Sequence, residues 1–280
     1  MALATKPFSV TGRSLDGRAI VKIYRGVQPM ARRDREWHAL QLAARLGLSV
    51  PDALASGLTH SNAWIVMRTV FGAPGSIGTE GDVESFIERV RLTSGLLREH
   101  AEDLEPGPGW LPASGHRSRA NSESLLDQLS SRCRQRPWWT GLESAVRPLD
   151  QEPVVYLHGD FKPEHFMDDG EELHVIDWEA SARGPAQCDY ADAVFHVLRD
   201  LAYEGDASRR LPIKVMSSLP VSGGVLAWRL VRWLDRRRPL DIDLITSRDI
   251  HDLAGTSTST AGIRQLACLL GRFRSKGVPR

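Results

Sequence analysis

Two short segments hold the residues most able to do chemistry. The first reads HGDFKPEH over residues 158–165 and follows an apolar, strand-like segment at 153–157. The second reads IDWE over residues 176–179 and ends another apolar segment. Asp160 and Asp177 are therefore predicted at the ends of adjacent strands. Phosphoryl transfer requires two such carboxylates, because one aligns the attacking hydroxyl and accepts its proton while the other holds a metal that neutralises the phosphates.

The placement of lysines supports the same chemistry, because only five of the 36 Lys and Arg residues are lysines. Lys22 lies in the strand-like run AIVKIY, where an ammonium is unfavourable unless it meets a carboxylate or a phosphate. Helical spacing over 32–46 puts Glu36 on the inward face, so we predict that Glu36 is its partner. Lys162 follows Asp160 by two residues, the position at which Ser/Thr protein kinases have a lysine that meets the γ-phosphate, and this similarity implies charge stabilisation of the transferring group. The alternatives are an ordinary edge-strand lysine at Lys22 and a solvated loop lysine at Lys162.

The two segments resemble the H-G-D-x-x-x-x-N catalytic loop and the I-D-W-E metal motif of aminoglycoside phosphotransferases and of their choline-kinase-like and protein-kinase relatives. The resemblance spans residues 20–197. It implies that Asp160 is the catalytic base and Asp177 a metal ligand, and that His158 and Asp189 support the loop structurally. It also implies ATP or GTP as the phosphate donor, Mg or Mn as the cofactor, and direct in-line transfer to an alcohol.

Two positions depart from the family pattern. His165 stands where the family has Asn, whose hard amide oxygen suits Mg, whereas an imidazole nitrogen is better matched to Mn or Zn. Three interpretations are open for His165: it coordinates a different metal, it contacts phosphate as a cation, or the site binds one metal only. The plainer alternative is that His165 merely packs in the loop. Asp189 ends the run GPAQCD, which echoes the family's G-D-P-x-x-D with Pro185 in place of its Asp.

The phosphate-covering loop of the family is predicted to be short or missing, because few residues precede Val10. The run GRSLDG at 12–17 has two glycines that can approach phosphate, but its Asp-Gly favours a plain hairpin turn. The resemblance further implies that residues 67–70 form the hinge between two lobes. There, backbone groups of Met67 and Thr69 are expected to bind the nucleotide base.

The rest of the pattern predicts the elements that position these residues. Strands are expected at 7–14, 18–24, 53–57 and 64–67, with the helix at 32–46 among them and a turn-rich break at 72–75. A helix is expected at 83–104, a loop at 106–119, and mostly helix beyond residue 186. Together with the resemblance, this order predicts an α+β, protein kinase-like two-lobed fold. The antiparallel-sheet N-lobe at 1–72 would bind the nucleotide, and the mainly helical C-lobe at 73–280 would carry the catalytic loop and the acceptor site.

The composition is that of an ordinary globular protein, with 41% hydrophobic and 25% charged residues. A net charge of +1 and the lack of a long apolar run indicate neither a nucleic-acid nor a membrane partner. Residues 1–7 show no export signal, so the cytoplasm is the expected location. Cys133, Cys188 and Cys268 are far apart in the sequence and are predicted to be buried free thiols.

Charge is distributed unevenly along the chain. Residues 184–280 hold 15 Lys and Arg against 10 Asp and Glu, whereas residues 1–183 hold 21 against 25. A basic acceptor region disfavours polycationic aminoglycosides and favours another small hydroxyl compound, an antibiotic or a metabolite. Ser or Thr side chains of a precursor peptide, as in lanthipeptide-type maturation, are an alternative acceptor. The basic cluster at 229–238 is predicted to be a solvated helix face, or else to recognise substrate or a partner protein.

A nucleotide- or partner-binding pseudokinase is the remaining alternative, motivated by His165 and by the short N-terminus. Asp160, Asp177, Lys22 and Glu36 together argue against it, because a degraded site has no chemical need for all four. The sequence leaves open which hydroxyl accepts phosphate, whether ATP or GTP donates it, and whether a partner protein takes part.

Overall fold

A five-stranded antiparallel sheet with one helix against it forms the N-terminal part of the protein. The structure, a computed structural model, describes residues 2–6, 8–99, 108–110, 120–203, 211–238 and 241–279. The first elements are β1 (Ala2–Lys6), β2 (Ser9–Arg13), β3 (Ala19–Tyr24), α1 (Pro29–Arg45), β4 (Ala53–Leu58) and β5 (Ala63–Arg68). The strands lie in the order β1-β2-β3-β5-β4. The predicted small sheet lobe is therefore confirmed.

The predicted turn at Asp16 and Gly17 joins β2 to β3. Asp16 accepts hydrogen bonds from the Ser14 hydroxyl at 2.6 Å and from the backbone N–H of Arg18 at 3.1 Å. The sequence did not predict β1, which pairs with β2 and places Lys6 opposite Ser9. A run as short as ALATK has no clear period, so its strand character comes from pairing with β2 rather than from its own pattern.

The remaining elements are mainly helical, as predicted. They are β6 (Ala73–Pro74), α2 (Glu80–Glu99), β7 (Gly109–Trp110), α3 (Asn121–Leu126), α4 (Ser131–Arg134), α5 (Trp139–Val146), β8 (Val155–Leu157), β9 (Phe166–Asp168), β10 (Leu173–Val175), β11 (Ala182–Gly184), α6 (Gln187–Tyr203), α7 (Ile213–Met216), α8 (Gly223–Asp235), α9 (Ser247–Ala254) and α10 (Ser259–Ser275). Two small sheets, β10-β9-β6 and β7-β11-β8, hold the segments around the 158–165 loop.

Several boundaries differ from the sequence-based expectations. The helix expected at 83–104 is α2, which begins at Glu80 and is described to Glu99. Within the loop expected at 106–119, residues 109–110 form the short strand β7, which pairs with β11, and most of the other positions lie outside the described residues. The proposed lobe boundary at 72/73 coincides with β6, which pairs with β9. In the described part of the chain, no helix is long and apolar enough to cross a membrane.

Helix α8 is the centre of the helical lobe and packs against α5, α6, α9 and α10. Its first turn approaches α5 so closely that a Cβ atom at Gly224 would lie 2.1 Å from the carbonyl oxygen of Ala145. The prediction of a solvated basic face is wrong for Arg229 and Arg232, which are only 6% and 5% exposed. Both guanidiniums face the buried carboxylate of Asp192 on α6, and a buried charge needs such a partner.

The three cysteines are free thiols, as predicted. Cys133 and Cys188 are buried, but the prediction of burial is wrong for Cys268, which is exposed. Cys268 lies on α10, which presents one face to the core and the other to solvent.

Candidate active site

The 158–165 loop starts at a tight turn after β8. Gly159 has a φ of 80°, and a Cβ atom there would lie 2.2 Å from the carbonyl oxygen of Ala180, so only glycine fits. The carboxylate of Asp189, at the start of α6, accepts hydrogen bonds from the N–H groups of His158 at 2.9 Å and of Gly159 at 2.8 Å. Burial raises the pKa of Asp189 to about 7, although these two donors act to lower it. Asp189 therefore fixes the backbone at the start of the loop through these two hydrogen bonds.

The imidazole of His158 ties this loop to the strand that leads to Asp177. Its Nδ1 accepts from the backbone N–H of Asp160 at 3.3 Å, and its Nε2 donates to the carbonyl of Ile176 at 3.0 Å. The ring stacks on Phe161 with centroids 4.7 Å apart. Burial lowers the pKa of His158 to about 4, so the ring is neutral at physiological pH. Its position fits the structural support predicted for it.

The carboxylate of Asp160 sits between two nitrogen groups. Lys162 Nζ lies 2.7 Å from Oδ2, and His196 Nε2 on α6 lies 3.2 Å from Oδ1. Burial raises the pKa of Asp160, but the His196 hydrogen bond and the Lys162 ammonium outweigh burial and hold this pKa well below its usual range. Asp160 is therefore ionised at neutral pH and can accept a hydrogen bond from an acceptor hydroxyl.

His196 connects Asp160 to the buried charges of α6 and α8. Arg229 Nη2 approaches His196 Nε2 at 3.2 Å, and Arg229 also forms a close ion pair with Asp192. Burial holds the pKa of His196 well below its usual range, so the ring is neutral. A neutral Nε2 either donates to Asp160 or accepts from Arg229, but not both. Since the hydrogen bond from His196 stabilises the Asp160 carboxylate, Nε2 is the protonated nitrogen and does not accept from Arg229.

Lys22 lies at the meeting point of the two lobes. Its Nζ atom is 2.8 Å from Glu36 on α1, 2.5 Å from Asp177 and 3.1 Å from Glu179. Burial lowers the pKa of Lys22, but the Asp177 and Glu36 carboxylates raise it well above its ordinary value. The Tyr24 hydroxyl donates a short hydrogen bond to Glu36, which fixes that carboxylate. The predicted Lys22–Glu36 pair is thus present in the structure as a contact.

Asp177 and His165 lie next to each other in the lining of the cleft. His165 Nδ1 lies 2.9 Å from the carbonyl oxygen of Asp160 and therefore donates to it, while Nε2 lies 3.3 Å from Oδ2 of Asp177. Burial lowers the pKa of His165, but the hydrogen bond and charge of Asp177 outweigh burial and raise it. Because Nδ1 is committed to a carbonyl, Nε2 is the nitrogen that a metal would bind.

The carboxylates here also fit a divalent cation. Oxygens of Glu36, Asp177 and Glu179 lie within 4.8 Å of one another, and the Lys22 ammonium now contacts all three. Carboxylate oxygens suit Mg or Mn, and His165 adds a nitrogen ligand that favours Mn. Among the described residues, these three carboxylates are close enough to hold a metal ion, and the roles of Asp177 and His165 as metal ligands remain a prediction.

A cavity of about 340 Å³ opens between the lobes beside these charges. Met67 lines it, together with Ile20, Val70 and Met167, and these apolar side chains suit the faces of a nucleotide base. Thr69 is not among the lining residues, and its N–H donates to the carbonyl of Arg18 at 2.9 Å. The structure thus brings Met67 but not Thr69 to the cleft.

The sequence comparison agrees with this geometry. Residues 8–213 match the profile of the phosphotransferase enzyme family, APH. The chain belongs to this family. No curated protein sequence matches it.

Solved structures show the same fold as this APH family member. Aminoglycoside phosphotransferase APH(4)-Ia superposes with a TM-score of 0.58 at 12% identity, over 95% of this chain and 93% of that one. A thermostable APH(4)-Ia mutant in a ternary complex with ADP and hygromycin B gives 0.57 at 13% identity, over 95% and 93%. A putative fructosamine-3-kinase from Haemophilus somnus 129PT gives 0.54 at 14%, over 96% and 90%. The predicted protein kinase-like two-lobed fold is confirmed, and the family is one of kinase-type phosphotransferases.

Sequence reasoning missed three residues of this APH site. Glu179 follows Asp177 by two positions, and the spacing Asp-x-Glu is a signal that could have found it. His196 shares one face of α6 with Asp189 and Asp192, at intervals of three and four residues, which is helical spacing for polar groups on an otherwise apolar helix. Lys6 gives no signal in the sequence, because only the pairing of β1 with β2 brings it to the cleft.

Proposed function

We propose that this protein transfers the γ-phosphoryl group of ATP or GTP to a hydroxyl group of a small molecule, an antibiotic or a metabolite. The observation that carries the proposal is the position of the Lys22 ammonium, 2.8 Å from Glu36 and 2.5 Å from Asp177. One cation thus contacts helix α1 of the N-terminal part and the carboxylate proposed to bind metal, in a cavity with apolar walls at Ile20, Met67, Val70 and Met167. Lysine in this position orients the α and β phosphates of a nucleotide.

Asp160 acts on the acceptor. Its ionised carboxylate accepts a hydrogen bond from the hydroxyl and turns the oxygen lone pair towards the γ-phosphorus. The new O–P bond forms as the bond from the γ-phosphorus to the β–γ bridging oxygen breaks, and the hydroxyl proton passes to Asp160. Because the pKa of Asp160 is held low, proton transfer comes late, and the main contribution of this residue is alignment.

Lys22 and Lys162 supply positive charge on the two sides of the transferred phosphoryl group. Lys22 lies on the nucleotide side, and Lys162 lies 2.7 Å from Asp160 on the acceptor side. A divalent ion bound by Asp177 and His165 would neutralise charge on the β and γ phosphates. Fixed charges in a cleft stabilise a transition state more than water does, because they need no reorganisation.

Positive charge also surrounds the acceptor side of Asp160. Lys162 contacts the carboxylate directly, and the Arg229 guanidinium lies 3.2 Å from the neighbouring His196 ring. The Arg232 guanidinium lowers the pKa of Arg236, just after α8, to about 9, which reflects crowded positive charge. A polycationic acceptor would meet repulsion here, so a neutral or acidic hydroxyl compound is favoured. The same charge suits a peptide Ser or Thr with acidic neighbours, which is a second candidate acceptor.

A third candidate is a nucleotide-binding protein with weak transfer activity. His165 supports it, because an imidazolium that donates to both Asp160 and Asp177 occupies the place where a metal would bind. The intact set of Asp160, Lys22 and Glu36 supports the transferase instead.

The deciding experiment is a calorimetric titration with AMP-PNP, first with Mg and then with Mn, followed by ATP-consumption assays against a panel of hydroxyl compounds and Ser/Thr peptides. Metal-dependent binding, together with transfer that Asp160→Asn abolishes, is the expected result. Folded protein that binds AMP-PNP with neither metal would overturn the proposal. Binding without any Asp160-dependent transfer would favour the third candidate.

A further inference from the structure

Lys6, the last residue of β1, is an additional cation at the nucleotide cleft. Its Nζ atom lies 3.1 Å from Oδ2 of Asp177, which follows it by 171 residues. Lys6 lines the same cavity as Lys22 and His165. Its side chain is 50% exposed, whereas that of Lys22 is 5% exposed. Lys6 therefore approaches Asp177 from the open side of the cleft, and Lys22 approaches it from the buried side.

The strand register explains why Lys6 points into the cleft. Lys6 pairs with Ser9 on β2, and Ser9 pairs with Tyr24 on β3. Tyr24 and Lys22 are two residues apart on β3 and thus share a face, because side chains alternate along a strand. Lys6 therefore projects from the same face of the sheet as Lys22. A slip of one residue in the β1–β2 pairing would turn it to the opposite face.

Lys6 and the proposed metal compete for the same atom. Oδ2 of Asp177 is also 3.3 Å from His165 Nε2, the nitrogen that fits a metal. A divalent cation held by these two groups would repel the Lys6 ammonium from Oδ2. The released ammonium would remain at the charged end of the cavity, where the nucleotide phosphates are the nearest new anions. The same ammonium can therefore contact either the Asp177 carboxylate or a phosphate at this end of the cavity.

The backbone between β1 and β2 is poorly suited to bind phosphate itself. In the β1–β2 pairing, Lys6 lies opposite Ser9, so only Pro7 and Phe8 lie between the two paired residues in the sequence. Proline has no N–H, and the carbonyls of Lys6 and Phe8 accept hydrogen bonds from Arg25. A phosphate-covering loop works through several backbone N–H groups that converge on one anion. This connection contains one N–H, so its backbone offers few donors to a phosphate and the Lys6 side chain is the stronger donor nearby.

We propose that Lys6 is a phosphate-binding residue of the nucleotide site and replaces, with one side-chain ammonium, the backbone contacts of a glycine-rich covering loop. The inference rests on the proposed nucleotide site. AMP-PNP can accept a charge-assisted hydrogen bond from Lys6 through its phosphates, whereas adenosine has no phosphate. A comparison of the two ligands therefore distinguishes phosphate binding by Lys6 from a purely structural role.

The test compares the unchanged protein with Lys6→Met, Lys6→Arg and the control Lys214→Met, an exposed lysine on α7. Calorimetry measures the Kd of each for Mg-AMP-PNP and for adenosine, and a thermal melt confirms folding. Lys6→Met is expected to raise the Kd for Mg-AMP-PNP by about tenfold or more and to leave the Kd for adenosine unchanged. Lys6→Arg should retain most of the affinity, and Lys214→Met all of it.

Three results would overturn the inference. If Lys6→Met leaves the Kd for Mg-AMP-PNP unchanged, Lys6 does not bind phosphate. If Lys6→Met binds Mg-AMP-PNP more tightly, Lys6 only competes with the metal for Asp177. If Lys6→Met raises the Kd for AMP-PNP and the Kd for adenosine by the same factor, the role of Lys6 is structural. Failure of the unchanged protein to bind AMP-PNP at all would instead remove the nucleotide site, and the inference with it.

Discussion

The Nζ atom of Lys22 lies 2.5 Å from Oδ1 of Asp177, although 155 positions separate the two residues in the chain. Glu36 and Glu179 also lie within 3.1 Å of the same ammonium, so three carboxylates share one buried lysine. The negative charges exceed the positive charge at this point, and the balance is completed by Lys6, His165 and Arg32 around the rim. The carboxylates and the cations that contact them therefore nearly cancel in charge.

Removal of Lys22 is expected to destabilise the protein and to make it dependent on metal. Lys22→Met leaves the buried carboxylate of Glu36 and the partly exposed carboxylates of Asp177 and Glu179 without their shared cation. Loss of one partner from a buried ion pair typically costs about 3–5 kcal/mol in the free energy of unfolding. Mn or Mg should restore part of that loss by binding the carboxylates. Thermal melts with EDTA, Mg and Mn measure this, with Lys214→Met as the control. Equal metal responses of variant and unchanged protein would contradict the prediction.

Replacement of the proposed base should separate catalysis from binding. Asp160→Asn retains the size of the side chain but cannot accept a proton, so kcat should fall by about 10²–10⁴-fold. The Kd for AMP-PNP should stay unchanged, because Asp160 faces the acceptor. Asp252→Asn, an exposed carboxylate on α9, is the matched control. A kcat that survives Asp160→Asn would remove this residue from the proposed mechanism.

The residue at position 165 should set the metal preference. His165→Asn exchanges a nitrogen ligand for an amide oxygen. An oxygen ligand improves binding of Mg relative to Mn, because Mn accepts nitrogen ligands better than Mg does. The ratio of kcat/KM with Mg to that with Mn should therefore rise by about tenfold, a typical size for changes at metal sites. His251→Asn, an exposed histidine on α9, should leave the ratio unchanged. No shift in the His165 variant would mean that this imidazole does not bind the metal.

The stability of the fold should decrease as the pH is lowered through a range set by the pKa of His158. Its pKa is about 4 in the folded protein and about 6.5 in an unfolded chain, so the unfolded state binds the extra proton between these values. Stability from this residue is complete above pH 6.5 and decreases as the pH falls towards 4, by up to about 1.4 kcal/mol per pH unit. Denaturant midpoints at pH 7, 6, 5 and 4 should therefore fall less steeply for His158→Gln. Parallel profiles for the variant and the unchanged protein would show that His158 does not titrate in this way.

Part of the fold and of the site could be predicted because the signals are local. The turn at Asp16-Gly17, the helical face of Glu36 and the loop at 158–165 each follow from residues within a few positions of one another. Arg229 and Arg232 could not be placed, because α8 carries polar groups of the kind found on solvated helices. Its burial depends on four neighbouring helices, and its charges are tolerated only because Asp192 on α6 faces them.

The sequence by itself determined which chemistry is available: a carboxylate-bearing loop, an Asp predicted to bind metal and a strand lysine, in the order typical of a phosphotransferase. Tertiary structure alone decided which of these side chains contact one another. Lys6 meets Asp177, His196 meets Asp160, and Thr69 turns away from the cleft to donate its N–H to Arg18. The physical reason is that periodicity and turn chemistry act over a few residues, whereas these contacts depend on strand register and helix packing across the whole chain.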